Sequence, residues 1–562
     1  MKKRITILLS MVFAAGSILP AMAQNKATDS LRHANQFNYI QALEVMGSIL
    51  GNVEQNFVDT VSMERLSKIG IRAMLGSLDP YTEYFAREDN DQLKLLTKGE
   101  YAGIGSIISQ RPDSSVIINS PMQGQPAAEA GLRAGDVILE IDGRDFRKST
   151  TPEVSAALKG LPGTIIKLKI HRPGEKKDRM FTFKRAKIVV DPVTYYSTLG
   201  EDVGYIRFSS FTDQASRKVE TALRDLKDNH GIKSLVLDMR SNGGGLVGEA
   251  VRIVNFFVPK GREVMSIKGR PGVQERTTYS TQNEPIDTTM PVVVLIDGHS
   301  ASSAEIVAGA LQDLDRAVVI GNQSYGKGLV QSPLNLPYNG TLKITTGRYY
   351  IPSGRCIQRI DYQKAREGKT AVLPDSLTHE FHTAGGRPVK DAGGILPDIT
   401  IKQDSLPTIL FYMDINNDVF DFITDYVNNH DTIAEPEQFS ITDADYARFE
   451  QLLKAKKFDY DRQSSKVLEK LKEVAEVEGY LERAGNTLKE LEAQLKPDLS
   501  RDMKTFKKEI TDYLNNAIIS RYYYQSGAVR YMLKSDKDTA KAVEILKNPE
   551  QYKSILTPKK QS

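Results

Sequence analysis

Three segments between residues 200 and 300 consist mainly of apolar residues, as do strands that are buried on both faces of a sheet. Segments with apolar residues at helical spacing follow the first and the third of them, at 214–229 and 303–313. Strands that alternate with helices in this way predict a parallel sheet in an α/β core, over residues 191–403. The apolar segments are Val203–Phe208, Ser234–Met239 and Val292–Ile296.

The segments on either side of this core have different patterns. Residues 98–190 contain short β runs separated by glycine turns, with one helix-like stretch at Thr151–Leu158. Residues 36–90 place apolar residues at helical spacing and contain an Asp79-Pro80 turn. From about residue 404 the chain is charged and helical, which fits a packing or oligomerisation helix and a solvated helical domain equally well. The predicted regions are 24–90 (helical), 91–190 (β-rich), 191–403 (α/β) and 404–562 (helical).

The first 23 residues have the pattern of a secretory signal peptide. A basic start, Lys2-Lys3-Arg4, precedes an apolar stretch at 5–19, and Ala21-Met22-Ala23 fits a cleavage site of small residues. The apolar stretch is too short to favour a membrane span. The sequence therefore predicts a signal peptide at residues 1–23, cleavage after Ala23, and export to the periplasm.

Composition and charge narrow the class of function. Of the 562 residues, 40% are hydrophobic and 26% are charged, as in an ordinary globular protein of several domains. Loss of residues 1–23 would leave a nearly neutral chain, which gives no electrostatic case for nucleic-acid binding. Cys356 is the single cysteine, which excludes an intrachain disulfide, and the histidines lack metal-ligand spacing. We therefore expect neither a metal nor an organic cofactor.

A serine and a lysine are the strongest candidates for chemistry. Ser302 follows an apolar strand and a short turn and opens a helix, and Lys327 lies 25 residues later. A serine becomes a nucleophile when a base takes its proton, and a lysine held neutral by apolar burial is such a base. Taken alone, the serines at this turn also fit an ordinary helix cap completed by Glu305. His299, three residues before Ser302, is a competing base.

Two glycine-rich turns lie near these residues in the sequence. Asp238–Gly245 carries an apolar strand into three glycines, which suits backbone donors for an oxyanion and equally a plain glycine turn. Gly321–Gly328 nearly matches the pattern of a phosphate-binding loop. The match fails at Gly328, because the pattern requires a serine or threonine there to bind magnesium. We therefore expect no nucleotide, and we interpret this turn as one that aims Lys327.

A third glycine-rich segment predicts peptide binding. Residues 98–106 form a glycine loop that opens a β strand, and Ala127–Leu132 and Gly135–Gly143 follow it in order. A module of this kind captures a peptide's C-terminal carboxylate on loop N–H groups and adds the peptide as an extra strand. The loop residues predicted to do so are Ala102, Gly103, Ile104 and Gly105.

These segments together resemble the carboxyl-terminal processing peptidases, or tail-specific proteases, over residues 36–403. Two further segments, Thr346–Arg355 and Gly393–Asp398, add to the resemblance. It implies a multidomain α/β protein, with a crotonase-like protease core into which a PDZ domain is inserted as substrate reader and gate. The roles that it implies are Ser302 as nucleophile, Lys327 as base, Gln331 as the residue that orients the lysine, and the backbone of Gly243 or Gly244 and of Ser303 as oxyanion donors.

Two departures from the family pattern limit the properties that the resemblance implies for this chain. Family members often have an arginine before a Gly-x-x-Gly-Thr segment of the PDZ domain, whereas this chain has Lys159 there. The lysine argues against an activation switch based on that arginine. The region after about residue 404 does not match the family core, so the resemblance implies nothing about its role.

The sequence therefore predicts an exported serine endopeptidase that binds apolar C-terminal tails through its PDZ domain. Cleavage would proceed through the Ser302 and Lys327 dyad by way of an acyl-enzyme. The alternative is a non-catalytic PDZ adaptor that presents substrates to another protease. Helical segments at both ends of the chain suggest a homodimer, and the sequence leaves open whether a separate adaptor protein delivers substrates.

Overall fold

The computed structural model describes residues 38–558 apart from 90–92, 94, 96, 274, 369–370, 373–377, 392, 403–405, 461 and 497. The predicted signal peptide lies outside these described residues. The chain forms two compact units, which divide between Tyr84 and Phe85. None of the helices in the described ranges combines the length and the apolar character that a membrane span requires.

The first unit is helical, as its apolar spacing predicted. Ser62 caps the second helix, because its hydroxyl accepts a backbone N–H of the first turn at 3.3 Å. Beyond this helix, Asp79 Oδ1 accepts the N–H groups of Tyr81 and Thr82, both at 2.8 Å, so the Asp-Pro segment forms the predicted turn. The elements are α1 (38–56), α2 (Met63–Gly76) and, across the boundary between the units, β1 (Glu83–Phe85).

Residues 100–189 form a β-rich module with an edge strand. Its main sheet has the order β3-β4-β5-β7-β8 with β6 beside β5, and β2 pairs with β9. Among the described residues β3 pairs with β4 alone, and helix α4, which has the predicted bounds, lies beside β3. The elements are β2 (Glu100–Gly103), β3 (Ser106–Gln110), β4 (Val116–Pro121), α3 (Pro126–Glu129), β5 (Val137–Ile141), β6 (Arg144–Asp145), α4 (Thr151–Leu158), β7 (Ile165–His171), β8 (Arg179–Lys184) and β9 (Ala186–Val189).

The α/β core contains the predicted parallel sheet. Its order is β10-β11-β12-β15-β16-β21, in which β10 is antiparallel and the other strands are parallel. Helices α5, α6 and α7 cover one face of it. A second, antiparallel sheet pairs β17 with β18, β18 with β13 and β13 with β14. The three predicted strands, now β11, β12 and β15, and the two predicted helices, α5 and α7, have the expected bounds to within one residue.

The elements of the core are β10 (Val193–Leu199), β11 (Val203–Phe208), α5 (Ala215–Asp228), β12 (Ser234–Asp238), α6 (Val247–Asn255), β13 (Glu263–Gly269), β14 (Thr277–Ser280), β15 (Val292–Ile296), α7 (Ser303–Asp313), β16 (Val318–Gly321), β17 (Leu329–Leu336), β18 (Gly340–Tyr350), α8 (Tyr362–Arg366), β19 (Glu380–His382), β20 (Pro388–Lys390) and β21 (Ile399–Thr400).

The C-terminal region is helical, as predicted, and has two packing partners. Helices α9, α10, α11, α14 and α15 bury a hydrophobic core of their own. Helices α16 and α17 instead cover the second face of the core sheet, where Ala542 and Ile545 join Val236 and Val293 in one buried cluster. The elements are α9 (Thr408–Ile415), α10 (Asp418–Asn429), α11 (Asp443–Ala455), α12 (Gln463–Val477), α13 (Leu481–Leu495), α14 (Leu499–Thr505), α15 (Lys507–Leu533), α16 (Lys537–Leu546) and α17 (Pro549–Ile555).

Candidate active site

Ser302 lies at a strained turn between strand β15 and helix α7. Its backbone has φ +55° and ψ −115°, a conformation that a residue with a side chain adopts only under constraint. Two contacts hold it there: the Ser302 N–H donates to Glu305 Oε2 at 2.8 Å, and the Tyr349 hydroxyl donates to the Ser302 carbonyl at 3.2 Å. The predicted nucleophile is thus half-buried on a turn of fixed geometry.

Ser302 and Lys327 line the same cavity, which has a volume of about 730 Å³. Lys327 is half-buried in the glycine-rich turn between β16 and β17. His299 is exposed and is not among the described residues that line the cavity. The structure therefore places the predicted base and the predicted nucleophile on the wall of one cavity, and the roles of the two side chains stay predictions. Other predicted site residues that line the cavity are Gln331, Gly243 and Gly244.

A fully buried carboxylate, that of Glu305, joins the two turns that carry Ser302 and Lys327. Its Oε2 accepts the backbone N–H groups of Ser302 at 2.8 Å and of Lys327 at 2.9 Å. Its Oε1 accepts the Gly326 N–H at 2.7 Å and the Ser324 hydroxyl at 2.5 Å. Burial raises the pKa of the Glu305 carboxyl, and these four hydrogen bonds oppose that shift. The sequence indicated Glu305 only as part of a helix cap, so its link to the lysine turn was not predicted.

The glycine turn after β12 approaches Ser302 closely. A Cβ at Gly244, where φ is +92°, would lie 2.7 Å from Ser302 Cβ and 2.9 Å from Ser303 N. The Gly244 N–H donates to Asn242 Oδ1 at 2.9 Å, so it is engaged within the turn. Ser303 is the first residue of α7, where a backbone N–H has no acceptor inside the helix. Of the predicted donors, Gly243 and Ser303 therefore suit an oxyanion better than Gly244 does.

The close approach at Gly244 makes Gly244→Ala a test of this turn. We expect kcat/KM to fall about 100-fold, because the new methyl group must push the turn away from Ser302 and misplaces reacting groups by a fraction of an ångström or more. Gly261→Ala is the matched control, since Gly261 also has a positive φ, +86°, but a Cβ there has nothing within 4 Å. Steady-state kinetics and melting temperatures of both variants check this. Equal activity in the two variants would contradict the assigned geometry.

Gln331 lies on β17, four residues after Lys327, and its side chain bonds within the second sheet. Its Nε2 donates to Thr345 Oγ1, on the neighbouring strand β18, at 3.2 Å. This bond uses the donor end of the amide and leaves Oε1 as its acceptor end. An acceptor on the cavity wall suits a contact with a lysine ammonium, and the orienting role of Gln331 stays a prediction.

The remaining walls of the cavity are largely apolar. An apolar wall excludes water and disfavours the charged form of an amine beside it, so it suits a lysine that acts as a base. Among the described residues, no group of three or more His, Cys, Asp or Glu side chains is placed to hold a metal ion. The arrangement is suited to attack by a serine hydroxyl on a bound carbonyl group. The apolar residues include Leu246, Val247, Ile306, Leu329, Val330 and Tyr349.

The predicted peptide-binding loop lies at the start of the edge strand β3. Ala102 and Gly103 end β2, and Ile104, which is 3% exposed, belongs to the core of the β-rich module. The Ile104 carbonyl accepts the Ala127 N–H at 2.8 Å, and Gly105 turns the chain into β3 with φ +71°. The loop therefore leads into an edge strand that has α4 beside it and to which a peptide can add as a further strand.

Protein-family models match three parts of the chain. The model of peptidase family S41 matches residues 202–365, and the PDZ domain model matches residues 117–172. A third model, "Probable PDZ-protease, C-terminal helical domain", matches residues 409–546. The first match contains Ser302 and Lys327, and the third covers the region whose role the sequence left open.

Curated relatives are named as processing proteases. A "Carboxy-terminal-processing protease" of Bartonella bacilliformis is 35% identical over 363 residues, which are 64% of this chain and 81% of the relative. A "Carboxyl-terminal-processing protease" of Synechocystis sp. is 36% identical over 315 residues, which are 55% of this chain and 70% of the relative. The solved structure of a "Photosystem II D1 C-terminal processing protease" is 26% identical and covers 64% of this chain and 88% of its own, with a TM-score of 0.35.

Proposed function

Since this chain belongs to peptidase family S41, as a carboxy-terminal processing protease with a PDZ domain and a C-terminal helical domain, we propose that it is an exported serine endopeptidase that reads apolar C-terminal tails. The PDZ domain binds the tail, and Ser302 and Lys327 cleave a peptide bond upstream of it. One observation carries the proposal: Ser302, Lys327 and the Gly243 turn line a single cavity with largely apolar walls.

In the first half of the reaction, the Ser302 hydroxyl attacks the carbonyl carbon of the bound peptide. The neutral Lys327 amine accepts the hydroxyl proton as the bond between Oγ and carbon forms. The carbonyl electron pair moves to oxygen, and this oxyanion accepts the N–H groups of Gly243 and Ser303. The Lys327 ammonium then protonates the leaving nitrogen as the C–N bond breaks. The products are an acyl-enzyme and a released C-terminal fragment.

Water completes the reaction by the same steps. The Lys327 amine takes a proton from a water molecule, whose oxygen attacks the acyl carbon. The second tetrahedral intermediate collapses, and the proton returns through the lysine to Ser302 Oγ. Gln331 supports both halves, because its Oε1 accepts a hydrogen bond from the lysine ammonium while Thr345 holds the other end of the amide.

The PDZ domain selects substrates by their C-terminal tails. An apolar tail adds as a strand beside β3, and the N–H groups of residues 102–105 hold its terminal carboxylate. The requirement for an extended strand favours substrates with unfolded or flexible tails. An edge strand flanked by a helix supports this role, because its outer backbone groups are available for pairing.

Two further parts of the proposal concern architecture and location. The parallel order β11-β12-β15-β16, with helices between the strands, supports a crotonase-like core. The basic, apolar and small-residue segments of residues 1–23 support export to the periplasm.

Tail selection is tested with an unfolded protein that ends either in apolar residues or in a charged tail. We expect a KM about tenfold lower for the apolar tail, which corresponds to about 1.4 kcal/mol of binding free energy. We expect a similar kcat for the two, since the tail contributes to binding rather than to the chemical step. Mass spectrometry of the fragments gives rates and cleavage positions. Equal KM values for the two tails would contradict tail selection but not the proposed protease activity.

Labelling by a fluorophosphonate probe separates the protease from a non-catalytic adaptor. The proposed function requires covalent labelling of Ser302 in wild-type protein, in the presence of an apolar-tailed peptide if the resting site is closed. An adaptor would bind that peptide and yet neither cleave a substrate nor accept the probe.

A further inference from the structure

The turn that carries the proposed oxyanion donor begins at Arg240, and two of the three carboxylates that bond to this arginine come from the C-terminal helical region. Arg240 follows strand β12, and its side chain is 13% exposed. Three carboxylates surround it, those of Asp238, Asp536 and Asp538, and they are 0%, 9% and 1% exposed. Asp238 is the last residue of β12, whereas Asp536 caps helix α16 and Asp538 lies in its first turn.

The guanidinium of Arg240 is held from two sides. On one side, Nη1 donates to Asp536 Oδ1 at 2.9 Å and to Asp538 Oδ2 at 3.1 Å, and Nη2 donates to Asp536 Oδ2. On the other side, Nε and Nη2 donate to the two oxygens of Asp238 at 3.0 and 2.7 Å. All three nitrogens are engaged, so the position of Arg240 is set jointly by the core sheet and by α16.

The backbone runs from Arg240 straight into the turn. Ser241 has φ +59° and donates its N–H to Asp297 Oδ1 at 2.9 Å. The Asn242 carbonyl accepts the Ala301 N–H at 2.9 Å, next to Ser302. Gly243 follows, three residues after Arg240. Arg240 is therefore joined to Gly243 by only two residues, both of which have their backbone held by hydrogen bonds to the Asp297–Ala301 segment.

We propose that Asp536 and Asp538 are positioning residues for the oxyanion turn. Through them, helix α16 of the C-terminal helical region helps to hold the active site in its catalytic geometry. The inference rests on the proposed Ser302 chemistry. Buried ion networks add little stability relative to apolar residues of similar volume, and in some proteins they are retained because they specify geometry. A backbone N–H stabilises a tetrahedral intermediate only if it lies at hydrogen-bond distance from the oxyanion. A network that fixes Arg240 would therefore help to hold the Gly243 N–H at that distance.

The test compares the double variant Asp536→Asn/Asp538→Asn with wild type in the full chain. Removal of one oxyanion donor costs about 100- to 1,000-fold in kcat, so we expect its displacement to cost about tenfold or more. KM should change less than about twofold, because the bound substrate makes weaker use of the donor than the transition state does. A peptide boronate, which forms a tetrahedral adduct on a serine, should lose affinity by the same factor as kcat/KM. Arg240→Lys, which keeps the charge without the planar fork, should behave like the double variant.

Asp502→Asn is the matched control. Asp502 is a buried carboxylate of the same helical region, 3% exposed, and it bonds to Tyr460 and Arg462 without contact to the core turn. A folded double variant with wild-type kcat and boronate affinity would overturn the inference. So would an equal loss of kcat in Asp502→Asn at an equal loss of melting temperature, because the effect would then be one of stability. Wild-type protein that neither cleaves nor is labelled at Ser302 would contradict the proposed function itself, and this inference with it.

Discussion

Ser302→Ala and Lys327→Ala are each expected to lower kcat/KM by about 10⁴- to 10⁶-fold, the range found when a member of a serine nucleophile and base unit is removed. Binding of an apolar-tailed peptide should be unchanged in both variants, because the predicted peptide-binding loop, residues 102–105, belongs to the β-rich module and not to the core that carries Ser302 and Lys327. The two losses should not add in the double variant, since nucleophile and base act as one unit. Single-turnover cleavage and peptide-binding titrations measure these quantities.

His299→Ala is the control for the choice of base. His299 is exposed and does not line the cavity as the structure describes it, so its removal should leave activity within about twofold. The wild-type rate should rise with pH as the lysine amine loses its proton. A rate that instead follows a group with a pKa of about 6.5, and that disappears in His299→Ala, would show that histidine is the base.

Glu305→Gln should have the second largest effect, although this side chain does not touch the substrate in the proposed mechanism. Whichever carboxylate oxygen becomes the amide nitrogen, at least one buried backbone N–H, that of Gly326 or those of Ser302 and Lys327, loses its acceptor. We expect the free energy of unfolding to fall by about 1–3 kcal/mol. We expect kcat to fall about 100-fold, because the turns that carry nucleophile and base separate slightly.

Glu249→Gln controls for the loss of a buried carboxylate. Glu249 is 1% exposed and accepts the Ser216 N–H at 2.7 Å, on helices that do not carry the dyad. Its substitution should cost a similar amount of stability and leave kcat nearly unchanged. If the two variants lose kcat to the same extent at the same melting temperature, Glu305 has no special part in positioning the dyad.

The elements near the site were predictable because their signals are local. Strand β15 is a continuous apolar run and α7 begins at a serine cluster with an acidic residue three positions later, and both have the predicted bounds. Parallel pairing followed from the alternation of such strands with helices and is confirmed by the register of β11 with β12 and of β12 with β15.

The contacts that unite the site were not predictable in the same way. The sequence brought out Ser302 and Lys327 through their residue types and glycine-rich surroundings, and the structure places them on one cavity. Glu305 carried a cap signature that is satisfied within its own helix, so nothing local pointed to the Lys327 turn. The Gly244 N–H, one of the predicted donors, bonds to Asn242 within the turn, and the glycine pattern of the sequence does not reveal such a bond.

The sequence also did not predict that the helices of the C-terminal region would divide into two groups, one with a core of its own and one packed on the core sheet. Periodicity predicts that a helix has an apolar face but not which surface that face covers. Helices α16 and α17 carry ordinary apolar faces, yet they pack on strands more than 200 residues earlier in the chain, as the contact of Ala542 and Ile545 with Val293 shows.

The late position of helices α16 and α17 in the chain determines when the proposed oxyanion turn can be completed during synthesis. Helices α16 and α17 are synthesised after every residue that lines the cavity, and until they dock, one face of the core sheet is bare and Arg240 lacks Asp536 and Asp538. If Asp536 and Asp538 position the oxyanion turn as proposed, a nascent chain that already contains Ser302 and Lys327 does not yet have this turn in its catalytic position. Activity is then expected to arise only after these last helices have docked, however early the cavity itself has formed.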